Sequence, residues 1–194
     1  MISRIKNFIY TNPELCAGIV IFLYSLIEYF YQPVNTNQEG KGWDGYNHYL
    51  MAQDLDFKAI QDPFKYRVFS ASFVHFMHHL PLFTNNIIDN YRIFNLIFSV
   101  LFVFFAFKIL RILFKDEKYI PAIFFTWFLL ITTELSPIRT VFFMPINSDI
   151  VHETMILMVT YFFLKIRLTE GQNFMDNWKS YLGVLLCFLI GGTN

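Results

Sequence analysis

The sequence predicts an all-α protein, a polytopic transmembrane bundle of about five spans with short interfacial helices in its first external loop. Two observations predict this fold. Hydrophobic residues make up 55% of the chain and charged residues only 15%, a balance far more apolar than that of an ordinary soluble domain. The apolar residues also form long runs without Lys or Arg, and charges gather between them. We therefore expect residues 1–194 to form a single transmembrane domain.

The first span is predicted over residues 14–31, beginning after Pro13 and ending in an aromatic belt before Pro33. Arg4 and Lys6 precede this apolar run, and no small-residue cleavage site follows it. We expect an uncleaved signal-anchor helix whose N-terminus lies in the cytoplasm.

A long polar segment, residues 32–90, follows the first span and is predicted to form the first external loop. Within it, residues 45–55 and residues 69–80 are expected to form helices that are too short to span a bilayer. In the alternative topology, residues 69–81 cross the membrane, which reverses every later helix and moves the basic cluster at residues 108–118 outside. Because basic loops prefer the cytoplasmic side, the first topology is favoured.

The remaining apolar runs predict further spans that alternate in direction, so that residues 134–149 form a second external loop. The chain stops directly after an apolar run, without a polar tail, which is typical of an N-terminal fragment that continues past Asn194. The further spans are expected at residues 91–114, 121–134, 150–164 and 181–190.

Charge and motif content argue against several classes of function. The formal net charge is zero and no block of basic residues is present, so nucleic-acid binding is not expected. Glycine-rich phosphate loops are also missing, so no nucleotide cofactor is expected. His75, His78 and His79 share a helical spacing but have no carboxylate nearby in sequence, and Cys16 and Cys187 lie in apolar runs. We therefore predict no metal site.

The motif with the most chemical content surrounds Asp44, a carboxylate that lies between Trp43 and Gly45 at the start of a predicted interfacial helix. Partly desolvated at a membrane surface, it would act as a general base on a hydroxyl acceptor. The alternative is a structural N-cap for the helix. His48 follows one helical turn later and either orients Asp44 or is a solvated surface histidine.

Further polar residues in the two external loops are candidates for binding a phosphate. Lys65 and Arg67 precede a predicted helix, where they either grip a phosphate with the helix N-terminus or contact lipid headgroups. In the second loop, Arg139 would be a second phosphate clamp, and Asp149 is either an acid or the N-cap of the next helix. His152, one turn into the next span, is expected to line the same cavity.

These residues resemble the GT-C superfamily, polytopic glycosyltransferases that take sugars from polyprenyl-phosphate carriers on the extracytoplasmic face. The resemblance rests on Asp44-Gly45 with Tyr49 and Ala52, followed by Tyr66-Arg67 before a helix. It implies a catalytic base at Asp44 with Arg67 on the lipid phosphate, and a second acid at Asp149. It also implies substrate-binding roles for the remaining candidates, which are His48, Tyr49, Lys65 and Arg139.

The resemblance implies no cofactor, because the lipid-linked sugar is a co-substrate, although a divalent metal is not excluded. The expected partners are membrane lipids, a polyprenyl-phosphate-linked sugar and another membrane protein, in a bacterial cytoplasmic membrane. Two other functions remain open. His152 and Glu153 could belong to the path of a transporter or flippase, and Phe-rich helices could serve a non-catalytic subunit of an envelope complex.

Overall fold

The computed structural model describes residues 2–35, 39, 41–42, 45–55, 68–114, 119, 141–147, 150–168 and 174–192. All regular secondary structure in these residues is helical, so the predicted all-α class is confirmed for this part of the chain. The helices are α1 (Ile2–Thr11), α2 (Pro13–Tyr31), α3 (Gly45–Asp54), α4 (Val68–His78), α5 (Ile87–Leu113), α6 (Ile150–Leu168) and α7 (Phe174–Gly192), with a 3-10 turn at Pro145–Asn147.

Helices α2 and α5 are the two described helices that are long and apolar enough to cross a membrane. Helix α2 begins with Pro13, whose missing N–H is not needed in the first turn, and it ends as expected before Pro33. Helix α5 begins earlier than expected, at Ile87, because the side chain of Asn86 accepts a hydrogen bond from the Ile88 N–H at 2.9 Å.

The two short helices of the first loop form where the sequence predicts them. Helix α4 has 11 residues and is about 16 Å long, roughly half of the thickness of a bilayer core. Its Phe69 ring lies 6.2 Å from that of Phe98, and its Phe73 ring lies 5.3 Å from that of Phe94. Helix α4 therefore runs antiparallel along the first part of α5, and its length argues against a crossing at residues 69–81.

Side-chain contacts establish the directions of α6 and α7. The Thr154 hydroxyl lies 3.3 Å from the Phe98 carbonyl, and the Tyr161 ring lies 5.4 Å from that of Phe105, so α6 runs parallel to α5. Helix α7 is antiparallel to α6, because Gly183 approaches Phe162 whereas Gly191, farther along α7, approaches Met155, which precedes Phe162.

The span expected at residues 121–134 lies outside the described residues, but the chain on either side of it is described. The chain leaves α5 at Leu113 and reappears at Val141, whose carbonyl is hydrogen-bonded to Asn95 near the opposite end of α5. Leu113 and Val141 thus lie toward opposite ends of the bundle.

The two ends of the bundle differ in charge. At the loop end, α2 ends, α5 and α6 begin, and α3, α4 and residues 141–147 pack together. The opposite end is the basic end, because most described basic residues lie there. These are Arg4, Lys108, Arg111, Lys165, Arg167 and Lys179, whereas Lys41 and Arg92 lie at the loop end.

Residues 141–147, the described part of the second loop, do not lie on the surface. Phe142 is fully buried among residues of α2 and α5, and Val141 and Ile146 are buried against α3, α4 and α6. This segment therefore fills the space between helices at the loop end. It contributes to two hydrophobic clusters, one between α2 and α5 and one among α3, α4, α5 and α6.

Candidate functional site

Helix α3 carries the two described members of the predicted site, His48 and Tyr49. The His48 side chain is only 5% exposed, so the interpretation as a solvated surface histidine is wrong. Its backbone carbonyl accepts a hydrogen bond from the Tyr91 hydroxyl at 3.2 Å, which fixes the first turns of α3 against α5. His48 is buried because this face of α3 packs on α4 and α5, with Met51 and Ala52 in the core.

Tyr49 is half-buried, and its ring faces a cation. The Lys41 ammonium lies 4.1 Å from the ring centroid and 3.6 Å from the carboxylate of Glu39. Glu39 is 88% exposed at its side chain, so solvent screens that ion pair and its carboxylate offsets little of the positive charge beside Tyr49. The surface beside Tyr49 thus presents a basic and an aromatic group together, an arrangement that suits an anion or a sugar ring.

The other predicted site residues lie outside the described residues, but the helices that follow three of them are described. Asp44 directly precedes Gly45 of α3, Arg67 directly precedes Val68 of α4, and Asp149 directly precedes Ile150 of α6. The remaining two are Lys65 and Arg139.

The first turns of α3, α4 and α6 converge on one stretch of α5. Phe69, in the first turn of α4, and Thr154, in the second turn of α6, both approach Phe98. The first turn of α3 is hydrogen-bonded to Tyr91, roughly 10 Å away along α5. Three helices that start from different parts of the chain therefore have their N-terminal turns along residues 91–98 of α5, although α4 and α6 run in opposite directions there.

This convergence has an electrostatic consequence. Each helix N-terminus carries about half a positive elementary charge, because its first N–H groups lack partners within the helix. Each of these ends therefore favours a phosphate or carboxylate beside it.

Hydrogen bonds join the two loops directly. The Asn95 side-chain amide donates to the carbonyls of Val141 and Pro145 at 3.2 and 2.8 Å, and the backbone N–H of Asn35 donates to the Phe143 carbonyl at 2.9 Å. Helix α3 also contacts the 3-10 turn Pro145–Asn147. The start of the first loop, the helix after Asp44 and the segment before Asp149 thus form one packed unit.

No family model, curated protein or solved structure matches this chain.

The polar side chains of α5 that hold this unit in place were not predicted from the sequence. Arg92 is 9% exposed, and its guanidinium donates to the carbonyls of Glu28, Tyr29 and Gln32 at the end of α2. Arg92, Asn95 and Ser99 are buried at helical spacing within an apolar run. Since polar side chains are costly inside a membrane helix unless they bind a partner, that spacing was the available signal.

The histidines of α4 connect α4 with α3. The Nδ1 atom of His75 lies 2.9 Å from the Ala52 carbonyl, and that of His79 lies 2.9 Å from the His75 carbonyl. The ring centroids of His75 and His79 lie 4.2 Å apart, and the ring planes are tilted by 43°. Within the described part of the chain, no three His, Cys, Asp or Glu side chains form a group that could hold a metal.

The cavity that His152 was expected to line is defined by Arg139 and Asp149, which lie outside the described residues. His152 is exposed and lines a groove of about 320 Å³ between α6 and α7, together with Met155, Ile156 and Phe188. Its neighbours Val151 and Thr154 are the residues of α6 that point into the core. The separation follows from helical geometry, because residues 151 and 152 lie about 100° apart around the helix axis.

Proposed function

We propose that this chain is a polytopic protein of a bacterial cytoplasmic membrane, with about five spans and its basic end in the cytoplasm. The support is geometric. Helices α2, α5, α6 and α7 alternate in direction if one crossing lies between Leu113 and Val141. Most of the described basic residues gather at one end, as expected for the cytoplasmic side of a membrane protein.

At the loop end, the proposed activity is transfer of a sugar from a polyprenyl-phosphate donor to a hydroxyl acceptor on the extracytoplasmic face. The observation that carries this proposal is the convergence of α3, α4 and α6. Their N-termini directly follow Asp44, Arg67 and Asp149, so a base, a cation and a second acid each precede a helix whose N-terminal turns lie along residues 91–98 of α5. A lipid phosphate suits the positive field of those helix ends.

In the proposed reaction, Asp44 takes the proton of the acceptor hydroxyl while the oxygen attacks the anomeric carbon of the sugar. The bond from that carbon to the phosphate oxygen breaks, and polyprenyl phosphate leaves with the bonding electron pair, which inverts the configuration. Arg67, Arg139 and the helix N-termini offset the charge that grows on the phosphate. Asp149 is the second acid, and Lys65, His48 and Tyr49 belong to the substrate-binding surface.

A transporter or flippase is the main rival, because a translocation path needs polar side chains inside the bundle. The buried polar groups of α5 favour a structural role instead. Arg92 and Asn95 each donate to backbone carbonyls of a neighbouring segment, so these donors hold helices and loops together.

The test uses the purified full chain in proteoliposomes with a radiolabelled polyprenyl-phosphate hexose or pentose, and follows label transfer and release of polyprenyl phosphate. We expect Asp44→Asn to reduce turnover by about a hundredfold or more, since the general base is lost. The matched control is Asp54→Asn, which removes an exposed carboxylate at the other end of α3 and should retain turnover.

Two results would count against the proposal. Equal turnover in Asp44→Asn and the unaltered chain would remove Asp44 from the mechanism. The second result is that the unaltered chain releases no polyprenyl phosphate from any donor, alone or in its native membranes. That result would favour a non-catalytic subunit of an envelope complex over an enzyme.

A further inference from the structure

A second site lies between α2 and α5, toward the basic end and away from the residues of the proposed reaction. A groove of about 330 Å³ runs between these two helices. Its walls are almost entirely apolar, and Glu14 is its only charged residue among those described. The other lining residues are Leu15, Gly18, Ile19 and Phe22 of α2, and Val100, Leu101 and Phe104 of α5.

This groove opens to the outside of the bundle. Leu15, Ile19 and Phe22 are 47%, 47% and 43% exposed, although all are large and apolar. The helices that form the groove are the two described helices that are long and apolar enough to cross a membrane. In a bilayer, the groove would therefore be in contact with lipid acyl chains.

At its polar end, the groove meets a cluster with a net positive charge. The Glu14 carboxylate accepts hydrogen bonds of 2.9 and 3.0 Å from Arg111, and the Lys108 ammonium lies 3.6 Å away. One carboxylate and two cations leave a charge of +1 on this cluster. The Lys108 ammonium also lies 5.0 Å from the ring centroid of Phe104, which lines the groove, so the excess charge is at the groove's end.

The composition of α1 is that expected of a helix at a membrane surface, which would then lie at the level of Glu14. Helix α1 precedes Pro13 and presents exposed Phe8 and Ile9 together with exposed Arg4. A short helix with exposed apolar and basic residues is typical of one that lies in the headgroup region. The cluster around Glu14 would then lie at headgroup depth.

We propose that the groove between α2 and α5 binds an acyl chain of an anionic phospholipid, whose phosphate contacts Lys108 and Arg111. The apolar walls match the acyl chain, and the positive cluster matches the phosphate. A basic pocket between membrane helices on the cytoplasmic side is a known type of site for anionic headgroups. A zwitterionic lipid could place an acyl chain in the groove, but it carries no net negative charge to pair with the positive cluster.

The test uses the purified full chain in neutral detergent, with phosphatidylglycerol or phosphatidylcholine of identical acyl chains. Native mass spectrometry counts bound lipid, and thermal unfolding reports the stabilisation. We expect phosphatidylglycerol to bind more tightly than phosphatidylcholine, and Lys108→Gln to weaken its binding about fivefold. The control variant Lys179→Gln removes an exposed lysine of α7, outside the groove, and should leave phosphatidylglycerol binding unchanged.

A further variant separates lipid binding from the stability of the helix pair. Glu14→Gln should destabilise the contact between α2 and α5 but retain or strengthen phosphatidylglycerol binding, because it removes the negative charge. Equal affinity for both lipids, or unchanged binding in Lys108→Gln, would overturn the proposal. Equal stabilisation by soluble glycerol phosphate would also overturn it, since the groove would then play no part. None of these readouts depends on sugar transfer.

Discussion

Glu14 and Arg111 are 97 residues apart in sequence and form an ion pair in which Nη1 of Arg111 lies 2.9 and 3.0 Å from the two carboxylate oxygens. The carboxylate lies in the first turn of α2 and the guanidinium in the last turn of α5, where each also suits the helix dipole. Arg92 joins the other ends of the same two helices. The antiparallel pair is thus tied at both ends.

Glu14→Gln should lower the free energy of unfolding by about 1 kcal/mol, because Arg111 and Lys108 lose a charged partner that is only partly buried. Chemical denaturation in detergent micelles measures the change. Glu39→Gln is the matched control, because its side chain is 88% exposed, and it should have almost no effect. A loss of similar size in both variants would argue against the ion pair at the basic end.

Arg92→Lys should destabilise the protein by about 2 kcal/mol, since an ammonium cannot replace a guanidinium that donates to the carbonyls of Glu28 and Gln32. Arg4→Lys, an exposed substitution of the same kind, should be neutral. The thermal midpoints of the two variants give the comparison. An unchanged thermal midpoint for Arg92→Lys would mean that a positive charge at this position is sufficient to hold the end of α2, without the geometry of the guanidinium.

Asn95→Leu should cost about 1–3 kcal/mol, because the buried carbonyls of Val141 and Pro145 lose the side-chain donor that the structure gives them. Limited proteolysis should also become faster within residues 141–147, which this amide holds against α5. Asn7→Leu, on an exposed position of α1, is the control. Unchanged proteolysis would indicate that apolar packing of Phe142 is sufficient to hold the segment.

Labelling of single cysteines tests the proposed sidedness in a background without Cys16 and Cys187. A membrane-impermeant maleimide added to intact cells should label Leu82→Cys, an 87% exposed position at the loop end. It should label Leu168→Cys, which is 64% exposed at the basic end, only after the cells are permeabilised. Labelling of both positions in intact cells would contradict the proposal that the bundle crosses the membrane between these ends.

Leu55 has a positive φ of 51° directly after α3, a left-handed conformation that glycine adopts at lower cost. Leu55→Gly should therefore raise the free energy of unfolding by about 0.5–1 kcal/mol, which thermal unfolding would detect. Leu82→Gly is the control because no positive φ occurs there, and it should give no increase. A destabilised Leu55→Gly would show that the contacts of the leucine side chain outweigh the backbone strain.

The sequence determined the positions of α2, α3 and α4. Apolar runs, Pro13 and Pro33 predicted α2, and the same reasoning predicted the short helices α3 and α4 to within a few residues. These features are local, because hydropathy, capping and proline act over one or two turns of the chain. The sequence also placed Asp44, Arg67 and Asp149 directly before three helices, which depends only on where helices start.

The tertiary structure decided which side chains are buried and what they bind. His48 was interpreted as a surface residue on local grounds, yet it is buried, because the packing of α3 on α4 and α5 depends on residues more than 20 positions away. The pairing of Asn95 with Val141 spans 46 residues, and that of Glu14 with Arg111 spans 97. The hydrophobic pattern of a single helix cannot predict such pairs, because the two residues meet only when the helices pack together.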